Sequence, residues 1–279
     1  MAKRMWADLT RVEISDARDS GAVVAIPVGA IEQHGTHMPV GTDSLLSLAV
    51  TERAAERAKS IVLVAPVLPY GFSPHHLSHP GTISLRLTTY LSVLRDMAAS
   101  IAGAGFRRIV FVNGHGGNSA PLRSCIAELV TDGVAVTGVD YWAPAQEDWI
   151  SRLTGQTRRF GHACEFETAL MLACREGDGV TVARILEGAR LLQPRTVQPW
   201  ILPGQTEDPI TAAQAAWPPV FQADDPGYYG DPAAATIETG QTLLELLSGN
   251  LATFLDNYAR LSLRVGRGMT GREVSEAVA

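Results

Sequence analysis

Glu32, His34 and Asp43 fall within one short stretch, Gly29-Ala-Ile-Glu-Gln-His-Gly-Thr-His-Met-Pro-Val-Gly-Thr-Asp43. His115 falls in a second, Asn113-Gly-His-Gly-Gly-Asn118. Glu32 and His34 are two apart, so an extended backbone sends both side chains to one face. Two carboxylates with two imidazoles form the mixed N/O donor set taken by zinc, manganese or iron(II). Ordinary explanations compete: Asp43 could cap the helix that follows, and a lone loop histidine is usually just hydrogen-bonded. Clustering favours the metal. Six of the seven histidines lie between His34 and His115, each near glycine or proline, and histidine is the commonest metal ligand.

The elements flanking these loops read as alternating strands and helices. Ala22–Val28 is a short apolar run of β-branched character, followed by a helix over Ser44–Lys59 with apolar and charged faces. Ile61–Ala65 is the next strand, and Pro66–Gly81 a loop rich in Pro, Gly and His. Thr88–Ala102 carries one apolar helical stripe, Arg108–Asn113 is a strand, and Asn118 is placed to cap the next helix. Val134–Val139 is a further strand. This order implies a mostly parallel sheet covered on both faces, with functional groups on the loops after the strand ends.

The second half is less regular. Phe166–Arg175 reads as a helix, and proline-rich Leu192–Asp225 as extended connections. Asp231-Pro232 resembles an N-cap followed by proline at N1, leading to a long helix with Leu243, Leu247, Leu251 and Tyr258 on one face. Gly249 marks a candidate break, and the tail after Gly266 is a candidate for disorder. No repeat or clean linker divides residues 1–279, so one domain is expected.

Composition limits the function classes. The chain has 279 residues, 46% hydrophobic and 19% charged, enough to bury a large core. Its net charge of −6 argues against a nucleic acid or an anionic membrane as main partner. Three cysteines without a CxxC pair suit a reducing compartment, and no apolar segment is long enough to span a bilayer. A cytoplasmic location is the expectation.

Five ordered blocks carry a resemblance. Glu32-Gln-His-Gly-Thr-His-Met-Pro-Val-Gly-Thr-Asp43 resembles the EQHGPHLPLxTD signature of the creatininase (creatinine amidohydrolase) family. Tyr70-Gly-Phe-Ser-Pro-His-His-Leu-Ser-His-Pro-Gly-Thr-Ile-Ser-Leu85 resembles its YGxSxEHxxFPGTISL block. Asn113–Asn118 matches NGHGGN, His162-Ala-Cys-Glu-Phe-Glu-Thr168 resembles HAGExET, and Gly230-Asp-Pro-Ala-Ala-Ala-Thr236 resembles GDPxxAT.

The resemblance implies a three-layer α/β/α fold around a centre of two divalent metal ions (Zn, Mn or Fe). Glu32, His34, Asp43 and His115 would be ligands, with Asp43 the bridge. Some members draw a further carboxylate from two residues after the loop histidine, which here is Gly117; Glu165 is the candidate replacement, and Glu167 a group orienting a ligand or backbone. His162 matches a position tied to substrate handling and proton transfer, a role shared with Glu165. His76, Gly116, Gly117 and Trp142 are candidates to contact substrate. His75 and His79 stand where the family often has Glu and Phe, and receive no role; His37 is read as structural or supporting.

The implied reaction is hydrolysis of a C–N bond in a small cyclic amide, N-formyl or amide compound by metal-activated hydroxide. True creatininases carry a tryptophan shortly before the HAGExET histidine. Gln156–Gly161 has none, which argues against creatinine itself. Arg158 and Arg159 are a candidate receptor for an anionic substrate, or simply a solvated pair. A homo-oligomer, often a hexamer in the family, is the implied assembly. The competing class is a nucleotide- or anion-binding module, or a catalytically inactive member acting through assembly, because Asn113–Asn118 precedes a helix N-terminus.

Overall fold

The computed structural model of the chain describes residues 4–158, 161–195 and 224–263. Four strands, β1 (Val23–Val28), β2 (Val62–Val64), β3 (Ile109–Asn113) and β4 (Val136–Asp140), form one parallel sheet in the order β2-β1-β3-β4. The helices α1 (Arg11–Asp19), α2 (Thr42–Arg57), α3 (Leu87–Gly103), α4 (Ser119–Thr131), α5 (Gln146–Ile150), α6 (Glu165–Cys174), α7 (Gly179–Arg190) and α8 (Ile237–Arg260) surround it. Layers follow from the period-two alternation of each strand. Val23 and Ala25 of β1, with Val110 and Val112 of β3, face a core shared with α2, α6 and α8. Val24, Ile26, Ile109 and Phe111 face the opposite core, shared with α3 and α4. The fold is therefore α/β, three layers with a parallel sheet, as the alternation of elements implied.

Pro27 sits inside the central strand without costing a ladder bond. Odd residues of β1 hydrogen-bond toward β2, as Val23 N–H does to Ile61 O. The β1–β2 pairing stops at Ala25↔Val64, so the missing N–H of Pro27 lies beyond it. The β1–β3 register runs further, to Val28↔Asn113. That register sets the two histidine-bearing loops side by side.

Several boundaries differ from the sequence reading, each for a local reason. Helix α2 starts at Thr42 after Gly41, so Asp43 lies in the first turn and is not the N-cap. Asn118 precedes α4 but makes no cap hydrogen bond. Its amide instead donates to Gly29 O and accepts from Phe72 N–H, tying three loops together. Asp231-Pro232 opens only a 3₁₀ turn, Pro232–Ala234, and Thr236 caps the long helix through Thr239 N–H. Helix α8 runs unbroken through Gly249, its apolar face held by α2 and α6. Helices α1 and α7 went unread, although Thr10 and Glu13 form a capping box and Asp178 caps α7. Most of the Leu192–Asp225 segment and the tail after Gly266 lie outside the described residues, as does Arg159.

Candidate metal centre

The loop after β1 delivers Glu32 and His34, the first turn of α2 delivers Asp43, and the loop after β3 delivers His115. All four are buried. His162 arrives from outside the sheet, where His162 and Tyr229 form an antiparallel bridge. His76 comes from a short turn, Pro74–His76.

Each ring's tautomer follows from the partner of its other nitrogen. His34 Nδ1 lies 3.1 Å from Glu32 O; a carbonyl only accepts, so Nδ1 carries the hydrogen and Nε2 the lone pair. His115 Nε2 donates to Phe72 O at 3.2 Å, leaving its lone pair on Nδ1. His162 Nε2 donates to Gln33 O at 2.8 Å, again leaving the lone pair on Nδ1.

Those three lone pairs face oxygens. His34 Nε2 is 3.1 Å from Asp43 Oδ1. His115 Nδ1 is 3.1 Å from Asp43 Oδ2 and 3.3 Å from Glu32 Oε2. His162 Nδ1 is 3.6 Å from Glu32 Oε1. Charged imidazolium rings would pair with these acids, yet His34 Nε2, Asp43 Oδ2 and Glu32 Oε2 are buried without a hydrogen-bond partner. Buried polar atoms aimed at one another and unsatisfied are costly unless something lies between them. A cation satisfies all of them, and the residues fit one.

Charges here pull against each other. Burial pushes the Glu32 carboxyl above its ordinary value. Burial opposes charge on His34, but with no cation between them Asp43, Glu167 and Glu32 outweigh it and carry the ring up to about 10, a proton standing on Nε2 where a cation would take the lone pair. Burial would also raise Asp43, yet His34 and His115 hold it well below the usual carboxylate range. Glu167 is pushed up to about 7, chiefly by burial. Burial, then the neighbouring His34, keeps His162 well below the ordinary imidazole value. Strong opposed shifts in one buried cluster mark a functional site.

Glu165 is not brought to this cluster. Its Oε1 accepts from Thr154 N–H at 2.8 Å and its Oε2 from Gly155 N–H at 2.9 Å, so the carboxylate is spent on a loop. Glu167 is the α6 carboxylate that reaches it. One of its oxygens accepts from Ala163 N–H at 2.6 Å. Glu167, His34 and His162 also offer ligand atoms within 4.8 Å of one another, as do Glu32, His34 and Asp43.

The remaining candidates divide. His76 joins the cluster, with Nε2 3.5 Å from Glu32 Oε1. Gly116 and Gly117 form a half-buried turn beside His115. A Cβ at Gly117 would run into His115 Nε2 and the Phe72 backbone carbonyl, with His75 Cε1 at 2.8 Å, so only glycine fits as packed. Trp142 packs on the main core and edge-on to Tyr141, and its carbonyl accepts from the Trp149 indole. Those are packing contacts. Arg158 is exposed, at φ 39°.

Gln33 escaped the sequence reading. Its Oε1 accepts from Gly35 N–H at 2.9 Å, which fixes the amide so that Nε2 faces His76 Nδ1 and His162 Nε2, each at 3.0 Å. With His162 Nε2 already a donor, the amide hydrogen goes to His76 Nδ1. His76 Nε2 then carries hydrogen, which suits it to donate rather than to ligate. Gln33 is the glutamine of the EQHG block, and that position was the signal; its residue type alone suggested no chemistry. His37 Nε2 and Thr168 Oγ1 lie 2.9 Å apart, holding the loop against α6.

Comparison with known proteins identifies the family. A family model described as creatinine amidohydrolase matches residues 7–255. A creatinine amidohydrolase of Pseudomonas putida is 32% identical over 69% of this chain and 79% of its own. A mycofactocin precursor peptide peptidase of Mycolicibacterium smegmatis is 29% identical over 81% of this chain and 82% of its own. A crystal structure of a creatininase superposes with a TM-score of 0.72 at 28% identity, covering 94% of this chain and 100% of the other. Related creatininase structures are described as a manganese form and a zinc–zinc form, at 27% and 26% identity and a TM-score of 0.70 each; they cover 93% and 94% of this chain and 100% of their own. The match runs through every loop that builds the Glu32–Asp43–His115 cluster, and on that extent the chain belongs to the creatininase family.

Proposed function

We propose that this creatininase-family hydrolase cleaves a C–N bond of a small cyclic amide, N-formyl or amide compound at a centre of two divalent cations. The observation that carries the reading is the split of the Asp43 carboxylate. Its two oxygens face two different imidazoles, His34 and His115, each at 3.1 Å. That suits a bridge between two positions, one held by His34 and Glu167, the other by His115 and Glu32. Bound there, zinc, manganese or iron supplies Lewis acidity and a nucleophile at neutral pH.

The chain's own residues supply the rest. The side chain of His162 is 17% exposed, against 4% or less for His34, His76 and His115, so it is the ring of these four that incoming substrate meets. With its lone pair inward and Nε2–H on Gln33 O, it is set to take and return a proton at Nδ1. His76 Nε2–H offers a hydrogen bond to a substrate oxygen. Glu165, with both oxygens engaged by backbone, drops out of ligand and proton-transfer roles.

Relatives include both a peptidase and a creatinine amidohydrolase, so the substrate is decided by a screen. Metal-reconstituted protein is assayed against cyclic amides, N-formyl compounds and short peptides, beside Glu32→Gln and His115→Ala. Hydrolysis of one class, lost on chelation and in both variants, is expected. Full turnover after exhaustive chelation would overturn the proposal. The same reading takes a small molecule rather than nucleic acid as partner, a cytoplasmic setting, and a homo-oligomer, with a hexamer tested by mass in solution.

A further inference from the structure

His75 is a buried-edge histidine for which the metal reading has no use so far, and three observations place it at the centre. A nitrogen of His75, an oxygen of Glu32 and a nitrogen of His115 lie within 4.8 Å of one another. The His75 ring stacks on His115 with 8° between planes and 5.6 Å between centroids. The ring is also one of three groups a Cβ at position 117 would meet, 2.8 Å from it, after His115 Nε2 and the Phe72 carbonyl. Gly117 brings no donor of its own to this side of the site. The turn Pro74–His76, which starts where Ser73 Oγ meets His115 Nε2 at 3.1 Å, folds His75 over it.

We propose that His75, tilting out of its stack on His115, supplies a nitrogen ligand to the cation held between Glu32 and His115. This rests on the two-cation reading above and deepens it. The consequence is one of charge and softness. Three carboxylates, Glu32, Asp43 and Glu167, then face two divalent cations, and the Glu32 side holds two imidazoles. Nitrogen donors favour zinc and cobalt over manganese, which prefers oxygen.

A stacking ring and a ligating ring are separated by His75→Phe, which keeps the face against His115 but removes both nitrogens. The full chain is stripped of metal and titrated with cobalt(II), reading equivalents bound and the visible d–d spectrum; zinc and manganese are then competed. Wild type is expected to bind two equivalents. His75→Phe should lose affinity for one of them by at least about tenfold and alter the spectrum. His75→Glu should keep two equivalents while moving the zinc-over-manganese preference toward manganese by about tenfold. Two equivalents at wild-type affinity with an unchanged spectrum in His75→Phe would overturn the assignment while leaving the two-cation reading intact. Wild type that takes up no cobalt overturns that reading, and the ligand assignment with it.

Discussion

Glu165 and Glu167 stand two positions apart on the first turn of α6, and their carboxylates serve different structures. Glu165 grips the Thr154 and Gly155 N–H groups, while Glu167 reaches the Ala163 N–H and lies beside His34 and His162. Two steps along a helix rotate a side chain by roughly 200°. Only one of the two can face the strand ends.

That division predicts opposite outcomes for two variants. Glu165→Ala strips the acceptor from two loop N–H groups, and should lower stability by about 1–3 kcal/mol with metal content unchanged. Glu167→Gln should fold normally and lose metal affinity by at least about tenfold. Elemental analysis beside thermal unfolding reads both. A Glu165→Ala protein that folds normally without metal would reverse the assignment.

Gln33 should act on turnover rather than on metal. Gln33→Leu removes the donor to His76 Nδ1 and the acceptor for Gly35 N–H. With any substrate from the screen, kcat/KM should fall about 10- to 100-fold, on the scale of a lost orienting group, with cobalt uptake preserved. Unchanged turnover would remove Gln33 from the site's working parts.

Asp256 gives a pH dependence away from the metal. Its oxygens accept from Lys59 N–H at 3.1 Å and Ser60 N–H at 2.8 Å, tying α8 to the turn before β2. Burial would raise its carboxyl, but those N–H groups hold it below the usual aspartate value. A lowered folded pKa means stability that is full above the unfolded value of about 3.9 and is lost as pH falls through the folded one. Asp256→Asn should cost about 1–2 kcal/mol at neutral pH, and the gap to wild type should close in acid. A gap of constant size across that range would exclude the carboxylate as its source.

Gly240 marks a close approach of α8 to α6. A Cβ there would fall on the Ala169 carbonyl, which is helix backbone and cannot swing aside. Gly240→Ala should therefore destabilise by about 1–3 kcal/mol, despite a helix propensity gain of about 1 kcal/mol. A raised melting temperature would show that the two helices part easily.

By itself the sequence determined the layers and most of the buried cluster. Short continuous apolar runs such as Ala22–Val28 and Arg108–Asn113, alternating with helical segments, point to a parallel sheet covered on both faces. Glu32, His34, Asp43 and His115 were legible because a parallel sheet puts its loops at one edge, and these residue types cluster in two such loops. What only the tertiary structure decided was direction. The β1–β3 register brings Val28 level with Asn113, so the two loops meet; the helical phase of α6 turns Glu167 inward and Glu165 outward. Gln33 and His75 went unassigned for the same reason. Their neighbours are His76 and His162 for one and Glu32 and His115 for the other, most of them distant in sequence, and no local period encodes such meetings.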